Sequence, residues 1–151
     1  MPLTTPMVAP PVSYPRSRML NGIEGAGTPQ PALTFSALAL FNTYARQSST
    51  AANGNTLTFG FQLAAGTYNF SVIGLKGSDC GILKWTLDGT DIVTGQDWYA
   101  TLLGYNSTSS SSVVVAASGY HTLVATVTGK ATLSAGYYYN LSGILFKPSS
   151  Y

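Results

Sequence analysis

The sequence predicts an all-β protein: an antiparallel β-sandwich or jelly roll behind an extended, proline-rich N-terminal arm. Three observations predict it. Seven of the eight prolines fall within residues 1–31, and none lies between Ala32 and Lys147. Apolar and polar residues then alternate in short runs closed by Gly, Asn or Asp, the period of half-buried strands. No amphipathic helical pattern interrupts them. At 151 residues the chain divides into the arm, residues 1–31, and one domain, residues 32–151, long enough to bury a core.

The arm contains Pro2, Pro6, Pro10, Pro11, Pro15, Pro29 and Pro31. Proline fixes φ and lacks a backbone donor, so the segment is expected to be extended and partly polyproline II, neither helix nor central strand. Leu3, Met7, Val8, Val12, Tyr14, Met19 and Leu20 supply apolar contact points, and Arg16 with Arg18 forms the only close basic pair. A solvated leader would carry fewer apolar residues. An arm lying on a partner is the expectation, with a disordered leader as its alternative. The Gly-rich stretch Glu24–Gly27 follows no strand and opens no helix, so it makes a poor phosphate loop.

In the domain, residues 33–45 alternate Leu33, Phe35, Ala37, Ala39 and Phe41 against Thr34, Ser36, Leu38, Leu40 and Asn42 and read as a strand, although Ala and Leu also suit a short helix. Residues 46–55 read as a polar loop. Residues 56–63 give the cleanest strand, with Leu57, Phe59, Phe61 and Leu63 on one face and Thr58, Gly60 and Gln62 on the other. Residues 67–75 place Tyr68, Phe70 and Val72 together. A Gly-rich turn holding Cys80 leads to residues 82–87, where Leu83, Trp85 and Leu87 face one way and Asp88-Gly89 closes the run. Short strands follow at 91–94, 98–103 and 112–116, with a Ser/Thr-rich loop tip at 107–112. Residues 120–128 set Leu123, Ala125 and Val127 against Thr122, Val124 and Thr126. Residues 137–147 form the last strand, with Leu141, Ile144 and Phe146 in the core and a bulge near Gly143.

Composition narrows function. Only 8% of residues are charged and the net charge is +2, against about 25% charged in typical soluble domains. So little charge leaves no nucleic-acid footprint. It also gives a surface that a partner covers easily. Cys80 is the sole cysteine and His121 the sole histidine, too few for a disulfide framework or a conventional zinc site. No apolar run reaches membrane-spanning length. No signal-peptide pattern opens the chain, so it reads as made in a cytoplasm. Asp88, Asp91 and Asp97 sit in turn contexts. The same carboxylates could hold Ca²⁺, but no EF-hand-like spacing supports it. Glu24 is the only glutamate, which leaves no carboxylate pair for glycoside hydrolysis. Ser118 lies near His121 without a Gly-x-Ser-x-Gly elbow. The expectation is a protein without enzyme activity, cofactor or metal. The remaining signal is aromatic: Trp98 with Tyr99, and Tyr137, Tyr138 and Tyr139 in succession. Such rings stack on sugars or anchor interfaces when exposed, and Trp85 and Tyr68 are expected in the core.

Taken together, Ala65–Gly74, Gly81–Gly89, Ser118–Lys130 and Ser134–Phe146 resemble a β-sandwich module of tailed-bacteriophage virion proteins, including head decoration (cement) proteins and tail-fibre-associated proteins. More distantly they resemble carbohydrate-binding sandwich modules. The first resemblance implies a homotrimeric decoration protein on the phage head surface, bound to the major capsid protein and to neighbouring copies of itself, with the arm residues above as contacts. The alternative it leaves is a tail-associated module that binds a receptor or carbohydrate, with a glycan as partner. It carries over no family functional residues.

Overall fold

The computed structural model describes residues 52–107 and 111–150, together with strand segments at 18–21, 26–28, 32–35 and 43–46. The strands in order are β1 Arg18–Asn21, β2 Ala26–Thr28, β3 Ala32–Phe35, β4 Thr43–Arg46, β5 Thr56–Leu63, β6 Gly66–Lys76, β7 Gly81–Leu87, β8 Thr90–Asp97, β9 Gly104–Ser107, β10 Ser111–Val115, β11 Gly119–Lys130 and β12 Asn140–Pro148. All pairings between them are antiparallel. The described strands form two sheets. In sheet A the order is β10-β6-β12-β4-β3, with β9 also on β6 and β1 also on β12; in sheet B it is β2-β5-β11-β7-β8. The fold is therefore the expected all-β antiparallel sandwich.

Alternation explains which faces meet. From β5, Leu57, Phe59, Phe61 and Leu63 enter the core; from β7, Leu83, Trp85 and Leu87; from β11, Leu123, Ala125 and Val127. Sheet A answers with Tyr68, Phe70, Val72, Leu141, Ile144 and Phe146. Phe146 is the hub, with ring centroids 5.1 Å from Phe70, 5.3 Å from Phe61 and 6.2 Å from Tyr68. Phe70 meets Trp85 edge-on at 5.5 Å. Tilted and edge-to-face contacts of this kind add to the burial term. Trp85 and Tyr68 are fully buried, as expected.

Five stretches differ from the sequence reading. Residues 18–21 and 26–28, placed there in the arm, are strands: β1 lies on β12 with Met19 opposite Leu145, and β2 lies on β5. Both segments fall between Pro15 and Pro29 and keep their backbone donors, so pairing costs nothing that proline would forbid. Residues 98–103 are not a strand. Their backbone bonds run to the Gly77 turn instead: Gly77 N donates to Trp98 O, and Ala100 N to Gly77 O. The last strand starts at Asn140, because Tyr138 N is already committed to Asp79 O. The single strand predicted over 33–45 is two, β3 and β4, with 36–42 outside the described residues. The bulge near Gly143 is present as a register shift between Leu141 and Gly143.

Candidate functional site

The two ends of the sandwich differ. One end carries the loops at 77–80, 98–103 and 131–139. Several of its polar groups are turned inward and bonded to each other, although the buried Tyr139 hydroxyl has no hydrogen-bond partner among the described residues. Asn140 Nδ2 donates to Cys80 Sγ at 3.1 Å and Leu75 O at 3.4 Å. Ser134 Oγ donates to Cys80 O at 2.7 Å. Trp85 and Trp98 both donate their indole N–H to the Gln96 carbonyl oxygen, at 2.8 and 3.0 Å. Cys80 is a buried thiol. Trp98, read from the sequence as a candidate sugar platform, is fully buried, and Tyr139 is 1% exposed. Burial pushes the Tyr139 phenol well above its ordinary range. Tyr137 and Tyr138 are half-buried, and Lys130 Nζ lies 5.1 Å from the Tyr137 ring.

The opposite end holds a cleft of about 530 Å³ between the exposed edges of the two sheets. Sheet B contributes Leu87 of β7, Asp88 of the turn that follows, and Thr90, Asp91 and Ile92 of β8. Sheet A contributes Ser112 to Val115 of β10, followed by Ala116 and Ala117, and His121 of β11 completes the lining. The volume lies within the ordinary range of small-ligand sites, as does the mixture of apolar wall with a few polar groups.

The turn that shapes the cleft is dictated by sequence. Asp88 has φ 49° and Gly89 φ 82°, the two left-handed positions of a type I′ hairpin turn, for which Asp-Gly is well suited. The turn is then pinned to β11. Thr122 N donates to Asp88 Oδ1 at 2.8 Å, and Asp88 N donates to Thr122 O at 2.8 Å. His121 Nδ1 donates to Asp88 Oδ2 at 2.7 Å, and His121 Nε2 faces Ala117 O at 3.2 Å. Desolvation raises the Asp88 pKa, but the bonds from His121 and Thr122 and the charge of His121 outweigh it, so the carboxyl titrates below its ordinary range. Asp88 is thus ionised at neutral pH and bonded to His121. Asp91, on the cleft rim, pairs with Lys84 at 3.2 Å.

This arrangement does not make a hydrolase triad. Ser118 Oγ accepts a bond from Ala65 N at 2.8 Å, which ties it to the β5–β6 turn. The second nitrogen of His121 meets a backbone carbonyl in place of a nucleophile. Asp97 Oδ1 accepts from Tyr99 N at 2.8 Å, the turn role expected of it. Asp91 instead lies within β8. Of the arm residues, Leu3, Met7, Val8, Val12, Tyr14 and Arg16 lie outside the described residues, and Arg18, Met19 and Leu20 are strand residues of β1. The sequence reading missed the cleft because its walls come from strands that are neighbours only in space.

Comparison with known proteins supports the fold. No protein-family model and no curated protein sequence matches the chain. A xanthan lyase from Paenibacillus superposes with a TM-score of 0.71 at 19% identity, over 97% of this chain and 14% of the lyase. The CBM36-1 domain of a multidomain xylanase, from the hindgut metagenome of Trinervitermes trinervoides, gives 0.59 at 11% identity, over 89% of this chain and 98% of that domain. A family 35 carbohydrate-binding module from Clostridium thermocellum gives 0.55 at 16% identity, over 86% and 98%. This chain therefore has the β-sandwich fold found in carbohydrate-binding modules, and it spans a small part of the lyase.

Proposed function

We propose that this domain is a carbohydrate-binding β-sandwich module that holds a neutral glycan in the cleft between β8 and β10. The cleft is the observation that carries the reading. Its walls offer the Asp88 and Asp91 carboxylates and the Thr90 and Ser112 hydroxyls beside Ile92, Val113 and Val115. Sugars present hydroxyls at their edges and C–H groups on their faces, so such a wall meets both. Asp88 is paired with His121 and Asp91 with Lys84, so the wall carries little excess charge and suits a neutral sugar. The likeness to sugar-binding modules over nearly their whole length supports the same assignment. In this reading the protein acts by binding alone, with no catalytic step.

The test is titration of the protein with soluble neutral polysaccharides, arabinoxylan and galactomannan among them, followed by Asp91→Ala and Ser112→Ala. Binding that weakens in both variants, at unchanged melting temperature, is the expected result. Saturable binding indifferent to both changes would remove the cleft from the account.

The virion-decoration reading, a trimer bound to capsid protein at a phage head, rests on the 8% charged residues and the apolar, proline-rich start. The fold likeness favours sugar binding over it. Phage heads lacking the protein and losing thermal resistance would restore it.

A further inference from the structure

The outer face of sheet B holds a feature outside the cleft. β5 and β11 pair with Gly60 opposite Thr122 and Gln62 opposite Tyr120. Tyr120 is 67% exposed. A Cβ at Gly60 would overlap the Tyr120 hydroxyl and lie 2.6 Å from Cζ and 3.3 Å from Cε1. The tip of the ring therefore fills the space that the missing side chain leaves. The ring leans diagonally across the strand pair, within the reach expected of an aromatic side chain, and turns its other face to solvent.

The surroundings suit a sugar. Thr58, Gln62, Thr86, Thr122 and Val124 belong to the same face as the ring, and the Lys84–Asp91 pair lies beside Thr86. The position matters as much as the chemistry. Asp88, in the cleft wall, is bonded to Thr122, and Thr122 lies opposite Gly60. Tyr120 over Gly60 is thus about two strand spacings, roughly 10 Å, from the cleft rim. A hexasaccharide seated in the cleft extends over that span; a disaccharide occupying the cleft does not reach the ring.

We propose that Tyr120, seated over Gly60, is a stacking subsite for one pyranose of an extended neutral polysaccharide whose other units occupy the cleft. The inference rests on the sugar-binding reading and adds a second contact to it. Polarised C–H groups on a sugar face are attracted by the negative face of the phenol ring. A ring already fixed by its glycine seat loses little freedom when it binds.

Calorimetric titration with the hexasaccharides and disaccharides of arabinoxylan and galactomannan tests it, on wild type, Tyr120→Leu and Tyr120→Phe. Leucine keeps apolar cover over Gly60 without a flat π-face, and phenylalanine keeps the ring. The expected result is hexasaccharide affinity about tenfold weaker in Tyr120→Leu, a loss of the size set by one aromatic stack. Tyr120→Phe should bind within about twofold of wild type, and the disaccharide should not distinguish the variants. Undiminished hexasaccharide binding by Tyr120→Leu overturns the stacking subsite and leaves the cleft reading standing. An equal loss for both sugar lengths also overturns it, because the change would then act through the cleft. Failure of the wild type to bind any of these sugars overturns both.

Discussion

The two ends of this sandwich use similar residue types in opposite ways. At the 77–80/98–103/131–139 end, Trp98, Tyr139, Asn140 and Cys80 are buried against one another. At the Asp88–His121 end, the polar groups fix a turn and leave a cleft open between the sheet edges. Aromatic content alone says nothing about binding: among the described residues most of it is buried in the core. What separates the ends is how the loops close them. At the first end they bond one another across the sandwich, through Ala135 N to Ser78 O and Trp98 N to Gly81 O, among others. At the second, Ala65 N to Ser118 Oγ ties the β5–β6 and β10–β11 turns, while the β7–β8 turn bonds back to β11 and leaves the cleft open between β8 and β10.

The comparison breaks most sharply at Trp98. Its ring is fully buried and its N–H is bonded to Gln96. Trp98→Ala should cost about 3–5 kcal/mol in chemical denaturation, with sugar affinity per folded molecule unchanged. A small cost would mean that the loop end is not the closed structure described. Asn140→Ala comes next, at about 1–3 kcal/mol, since it strips Leu75 O and Cys80 Sγ of a buried donor. Again the cleft should be indifferent.

The open end responds to acid. The folded Asp88 pKa lies below its ordinary value of 3.8, so its contribution is fully present above about pH 4 and is lost as pH falls through the lower folded value. Half the side chain is exposed, and solvent screening keeps the effect below about 1 kcal/mol. Asp88→Asn should therefore be slightly less stable than wild type at neutral pH and should converge with it in acid melts. Parallel curves down to pH 2 would show that the carboxylate contributes nothing to the turn.

The sequence made the fold legible where alternation is clean. The predicted bounds of β5 are the observed ones, and those of β6, β7 and β11 are close, because a one-residue slip would bury Thr and expose Phe or Leu. It misled at residues 98–103, where Trp98, Ala100 and Leu102 also alternate. There the backbone partners sit in the distant Gly77 turn, and no local pattern reveals them. The cleft was illegible for the same reason: β8 and β10 belong to different sheets. Tyr120 was half legible. With Leu123, Ala125 and Val127 facing inward, parity puts Tyr120 outward, and likewise Gly60 opposite Phe59 and Phe61. Only the pairing register brings the ring onto the glycine.

That register permits the mildest perturbation, Gly60→Ala. Gly60 is not among the positive-φ glycines, so alanine suits its backbone, and a strand interior gains about 0.5–1 kcal/mol from losing glycine. The new methyl occupies the place of the Tyr120 hydroxyl. That atom ends a flexible side chain, so the ring can swing off the sheet. The lost ring contact offsets the backbone gain, and net stability should move by less than about 1 kcal/mol. The ring would nonetheless stand free, and a rotor that must be re-ordered makes a poorer stacking surface. Hexasaccharide binding should weaken while thermal melts barely change, with the altered Tyr120 ring shifts in an NMR spectrum reporting the displacement. If the ring moves and the affinity does not, the glycine seat belongs to the packing of β5 on β11 alone.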